Sequence, residues 1–252
     1  MTTLLDGAMG TELARRGFEL RAPQWGARAI EDAPALVTEI HADYVQAGAE
    51  AVVTASFGLG PGDAALAEAS VALAADARPG HIVGAIGPAD PRTPLEARRT
   101  HYTRLAEALT RGGAAVLFAE TQTTVAGARL AAEALRPFGL PVWVALACDR
   151  HGKTLGGDPL GEALEADAVF VGCTEHPGLL PALEALAPSN PVLGVRPSLA
   201  LTTETGFEPA GATETAVIEA IVRCANRFAL HYVGGCCGTT PAFIAALAEA
   251  LP

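Results

Sequence analysis

A chain of 252 residues, 50% hydrophobic and 18% charged, can build a large core, which argues against wholesale disorder. Its net charge of -11, with Lys153 the only lysine, argues against a nucleic-acid partner, because phosphate binding relies on clustered Lys and Arg. The start, MTTLLDGAMGTELARR, has no basic region ahead of a long apolar stretch, and no later run approaches about 20 apolar residues, so a soluble cytoplasmic protein without a membrane partner is expected.

In chain order, period-2 and continuous apolar runs predict strands at 4–8, 51–56, 81–86, 115–120, 142–148, 168–173, 191–195 and 231–233. Between them, alanine-rich amphipathic stretches predict helices at 34–47, 63–77, 95–111, 123–135, 160–166, 177–186, 213–227 and 241–251. The fifth helix is short, and the glycine-rich stretch 149–158 before it weakens that unit. Eight strand-then-helix units in about 250 residues predict an α/β fold, a single (β/α)8 TIM-type barrel over residues 1–252, with a doubly wound open sheet as the alternative.

Active sites in such barrels gather at the C-terminal strand ends. Asp6, Ser56, Glu120, Cys148, Cys173, Cys236 and Cys237 fall there. The segment GGCCG at 234–238 sets two thiols side by side, with Cα atoms about 3.8 Å apart, closer than the roughly 4.4–6.8 Å of ordinary disulfides. Metal ligation suits them better, and Cys173 in VFVGCT is the best third ligand. Five cysteines in a chain this long suit a reducing compartment, and no disulfide is expected.

Zinc on three thiolates keeps one position open for an exchangeable ligand, and a substrate thiol there would be favoured as thiolate, which points to alkyl transfer to sulfur. The competing reading is that each cysteine is a small buried hydrophobe, and Cys148 and Cys224 are taken that way. His176 ranks below the three thiols as a ligand, and His231 reads as a core or loop-anchoring residue. In DGAMGTEL at 6–13, Asp6 can pair with an ammonium group and the turn around Gly10 and Thr11 can hold a carboxylate; equally, Asp6 can be a helix cap. Glu120 in AET is a second ammonium acceptor or another cap.

These motifs resemble the zinc-dependent homocysteine S-methyltransferases. The likeness runs from DGAMGTEL to GGCCGTTPAFI at 234–244, through AGAEAVVTASF at 47–57, LFAET at 117–121, WVALAC at 143–148 and VGCTEHP at 171–177. It implies a (β/α)8 barrel with Zn2+ on Cys173, Cys236 and Cys237, Asp6 and Glu120 on the homocysteine amino group, and Gly10 and Thr11 on its carboxylate. Direct displacement then carries a methyl group from a small cationic donor to the activated thiol, forming methionine. The chain departs from the family at Gly172, where asparagine is usual, at Thr54, Ala55 and Ser56 in place of a TNT-like strand end, and at Arg196, Pro197 and Ser198 in place of a YPN-like segment. The stretch 58–63 is also short. With no cobalamin-carrying domain after residue 252 and no betaine-type extra length, S-methylmethionine is the expected donor. Alternatives are another thiol or selenol acceptor, a separate corrinoid protein as donor, or a noncatalytic zinc-binding or redox-sensing barrel.

Overall fold

Strands buried on both faces need apolar residues in unbroken runs, and such runs form the wall of this molecule. The computed structural model of the protein describes residues 2–21, 23–203 and 206–251. Its strands are β1 (Thr3–Leu4), β2 (Ala51–Val53), β3 (His81–Ile86), β4 (Val116–Gln122), β5 (Val142–Leu146), β6 (Ala168–Glu175), β7 (Leu193–Ser198), β8 (Ala200–Thr203), β9 (Gly206–Pro209) and β10 (Tyr232–Val233). Eight of them pair in parallel in the order β1-β10-β7-β6-β5-β4-β3-β2, and a parallel bridge between Leu5 and Ala51 joins the two ends. The result is the predicted (β/α)8 barrel. An antiparallel β8–β9 hairpin, absent from the sequence expectations, follows β7 directly.

The helices are α1 (Met9–Arg15), α2 (Ala29–Asp32), α3 (Pro34–Gln46), α4 (Ala64–Asp76), α5 (Leu95–Gly112), α6 (Val125–Leu135), α7 (His176–Leu186), α8 (Glu214–Phe228) and α9 (Pro241–Ala250). Several start where their sequences say they should. Thr124, Thr213 and Thr240 accept N–H bonds at the first turns of α6, α8 and α9, and Pro34 and Pro241 occupy first helical positions that have no N–H to satisfy. The helix expected at 160–166 does not form. Its seven residues are barely two turns, Gly161 takes φ +131°, and the segment before it is tied into bridges between Cys148 and Thr154 and between Lys153 and Pro159. His231 is another correction: its side chain is exposed, and its main chain does the anchoring, accepting from Thr3 N and donating to Leu193 O.

Alternation along the strands separates two cores. Leu117, Val144, Val169 and Val195 face outward to the helices, while Val83, Phe118, Trp143 and Phe170 fill the barrel. Trp143, Phe118, Phe170 and Tyr232 form one aromatic layer, with ring centroids 4.4–5.8 Å apart. Burying a ring such as Phe118 or Phe170 contributes about 1.5–3 kcal/mol. Gly194 makes the layer possible, because a Cβ there would lie 2.3 Å from the Phe170 ring. Among the described residues no helix is long and apolar enough to cross a membrane.

Candidate active site

The thiols reach the C-terminal rim by two different local devices. On β6, the register shifts between Gly172 and Thr174, and Cys173 takes φ +50°, a left-handed conformation that costs a non-glycine residue about 1–2 kcal/mol. Strict alternation would turn Cys173 to the face opposite Gly172; the bulge re-aims it. The second device is the turn after β10. Gly235 N donates to Asp6 O, Cys236 N to Pro197 O, and Leu199 N and Ala200 N to Cys237 O, so strands β1 and β7 hold the turn from both sides. The buried Thr239 hydroxyl donates to Cys236 O at 2.7 Å and accepts from Ala8 N at 3.2 Å. Gly235 lies so close to it that a Cβ would meet Oγ1 at 2.2 Å.

The three sulfur atoms converge. Cys173 Sγ is 2.8 Å from Cys236 Sγ and 3.8 Å from Cys237 Sγ, and the adjacent pair is 3.9 Å apart. A tetrahedral ion with sulfur ligands at about 2.3 Å has sulfur–sulfur edges of about 3.8 Å. Two of the three separations match that edge and the third is shorter, so the donor set fits a thiophilic cation. Among the described residues these three form the one Cys, His and carboxylate group close enough to hold a metal ion, and His176 is outside it. Hydrogen bonds from Cys173 and Cys237, with help from Arg196, hold the Cys236 thiol well below its usual range; bonding to Cys236 and Cys237 raises that of Cys173.

Below the thiols lies a charged layer. Arg196 of β7 bonds Asp6 Oδ1 through Nη2 at 3.2 Å and Glu120 Oε1 through Nη1. Its Nε donates to Gly235 O at 3.0 Å, its Nη2 also reaches Gly7 O at 3.3 Å, and its guanidinium stands over the Phe118 ring at 6.0 Å. Asp6 further accepts from Val53 N at 2.8 Å. Burial pushes both carboxyls up, Asp6 and Glu120 each to about 7, against the lowering pull of Arg196. Burial would also lower Arg196, but Glu120 and Asp6 outweigh it and hold the guanidinium protonated. Asp6 and Glu120 are thus brought together by a residue that the sequence marked only as a departure from a family pattern. A lone arginine in an otherwise apolar strand was the available signal.

A cavity of about 740 Å³ opens over these layers, lined by Gly10, Thr11, Glu120, Arg196 and the three thiols, with Trp25, Phe57, Leu155 and Phe207 supplying an apolar wall. Gly10 faces open space, whereas Thr11 Oγ1 accepts from Gly238 N at 2.9 Å and ties α1 to the thiol turn. Cys148 also lines the cavity, but burial pushes its thiol up to about 12; Cys224 is buried in α8, in the outer core. Ser56 Oγ bonds Thr54 Oγ1 and donates to Ala85 O, and the residue does not line the cavity.

Residues 3–251 match the family model described as homocysteine S-methyltransferase. Homocysteine S-methyltransferase 4 of Zea mays is 27% identical over 98% of this chain and 89% of its own length, and the homocysteine S-methyltransferase of Escherichia coli K12 is 27% identical over 97% and 93%. Solved structures of the homocysteine methyltransferase MmuM from Escherichia coli, also 27% identical, superpose with TM-scores of 0.83 in the oxidized form and 0.80 in the metallated form. They cover 98% of this chain in both cases, and 95% and 96% of theirs. With a family match over nearly all its length, a shared barrel and three convergent thiols at the rim, the chain is a methyltransferase that belongs to the homocysteine S-methyltransferase family.

Proposed function

We propose that the protein, acting as a single cytoplasmic barrel domain, is a zinc-dependent S-methyltransferase that moves a methyl group from S-methylmethionine to the thiol of homocysteine, giving methionine. The observation that carries this is the convergence of Cys173, Cys236 and Cys237 on one cavity. The names of the relatives and the metallated form of MmuM support it. Zinc, when bound, would favour the thiolate form of an acceptor sulfur at neutral pH.

The remaining work falls to the chain itself. Gly10 and Thr11 are the candidates for the acceptor's carboxylate, and Glu120 with the buried Asp6 for its amino group, in competition with Arg196. Trp25, Phe57 and Phe207 in the cavity wall are the candidates to meet a sulfonium cation. Orientation matters because the displacement is in line. The acceptor sulfur bonds to the methyl carbon, the bond from that carbon to the donor sulfur breaks with its electron pair on the donor, and the thiol proton leaves to solvent.

Purified protein supplied with homocysteine and, in turn, S-methylmethionine, S-adenosylmethionine and betaine tests this. Methionine from S-methylmethionine, and one zinc per chain that is lost in Cys237→Ser, is the expected result. No methionine from any donor overturns the proposal.

A further inference from the structure

Buried carboxylates require a cation, and here the cation is built in. Asp6, after β1, and Glu120, on β4, both meet Arg196 from β7. The arginine side chain is only 6% exposed, and four of its five N–H groups are engaged, two of them by the main-chain carbonyls of Gly7 and Gly235. Those carbonyls, and the Phe118 ring beneath, hold the guanidinium independently of the carboxylates. It is a fixture of the cavity floor. An ammonium group brought to the same two carboxylates would lie beside a buried like charge, which opposes its binding.

We propose that Arg196 selects the acceptor: it fills the cation position between Asp6 and Glu120 itself, so the cavity favours a thiol without an α-ammonium group over an amino-acid thiol. This rests on the site being a thiol methyltransferase and narrows its acceptor class, with homocysteine the weaker acceptor. The chemistry is otherwise the same. For 4-mercaptobutanoate, which is homocysteine with hydrogen in place of the ammonium, the sulfur takes the methyl group, S-methylmethionine becomes methionine, the thiol proton goes to solvent, and 4-(methylthio)butanoate is formed.

That pair of thiols isolates one group. With the wild-type protein and S-methylmethionine, kcat/KM for 4-mercaptobutanoate should exceed that for homocysteine by about tenfold or more, and calorimetric affinities should rank the same way. Arg196→Gln should shift both rankings toward homocysteine, because Asp6 and Glu120 then lack a cation. Homocysteine binding as well as or better than 4-mercaptobutanoate in the wild type overturns the proposal, even if Arg196→Gln fails to fold; so does an unchanged ranking in a folded Arg196→Gln protein, or no binding of either thiol. If neither thiol is methylated and 4-mercaptobutanoate still binds more tightly, the selection by Arg196 stands and methyl transfer is what falls.

Discussion

Thr239 shows how few atoms fix the thiol turn. Its hydroxyl joins Cys236 O to Ala8 N, while Tyr44 Oη donates to the carbonyls of both Ala8 and Thr239 from beneath. Thr239→Val keeps the shape and removes the hydroxyl, leaving a buried N–H and a carbonyl short of a partner. Stability should fall by about 1–3 kcal/mol in urea denaturation, and zinc affinity should fall with it in a chelator competition. Unchanged zinc affinity in the folded variant would separate the turn from the metal site. The thiols themselves were legible in the sequence, because adjacent cysteines are chemically unusual wherever they fall. The role of Arg196 was not. Its partners lie 190 and 76 residues away, and no local pattern encodes a contact that exists only once the barrel has closed.

Barrel strands and most helices follow from periodicity, since each buries a continuous apolar face that composition alone reveals. Several elements escaped it, the four-residue α2 among them. The β8–β9 hairpin is short and lies outside the barrel sheet, so no long buried run announces it, yet it brings Phe207 to the cavity wall. The stretch 160–166 has helical composition but stays irregular after the loop bridges that precede it, and tertiary context overrode propensity. The bulges are a third kind of feature beyond the reach of pattern. Thr121 on β4 and Cys173 on β6 both take positive φ beside register shifts, and both line the cavity. Strain is stored where side chains must be re-aimed. Caps, by contrast, act locally. Thr213→Ala removes the bond to Ala216 N at the exposed start of α8 and should lower stability by about 1 kcal/mol, with kcat/KM unchanged. A loss of activity in that variant would mean that α8 positions the site.

Across the whole molecule, pH acts through buried groups both outside the thiol cavity and beside it. His41 of α3 is fully buried, neither ring nitrogen has a hydrogen-bond partner among the described residues, and burial lowers its pKa to about 4. The unfolded chain takes up a proton near pH 6.5 that the native state refuses until about pH 4. Stability from this residue is therefore lost as pH falls through that window, by about 3 kcal/mol. Asp6 and Glu120, raised to about 7, work in the opposite sense: the native state keeps their protons longer, so their contribution falls as pH rises from about 4 to 7. Subtracting the denaturation profile of His41→Leu from that of the wild type isolates the histidine, and the difference should grow with pH between about 4 and 6.5; parallel profiles would remove His41 as the source. Strand β10 is only two residues long. It is the keystone between β7 and β1, and the turn it launches carries two thiols and the carbonyl that Arg196 grips. A nascent chain in which β10 has not yet docked has two raw sheet edges, open to self-association, and no complete binding site. Sealing that seam and bringing the three thiols together are then a single event in folding.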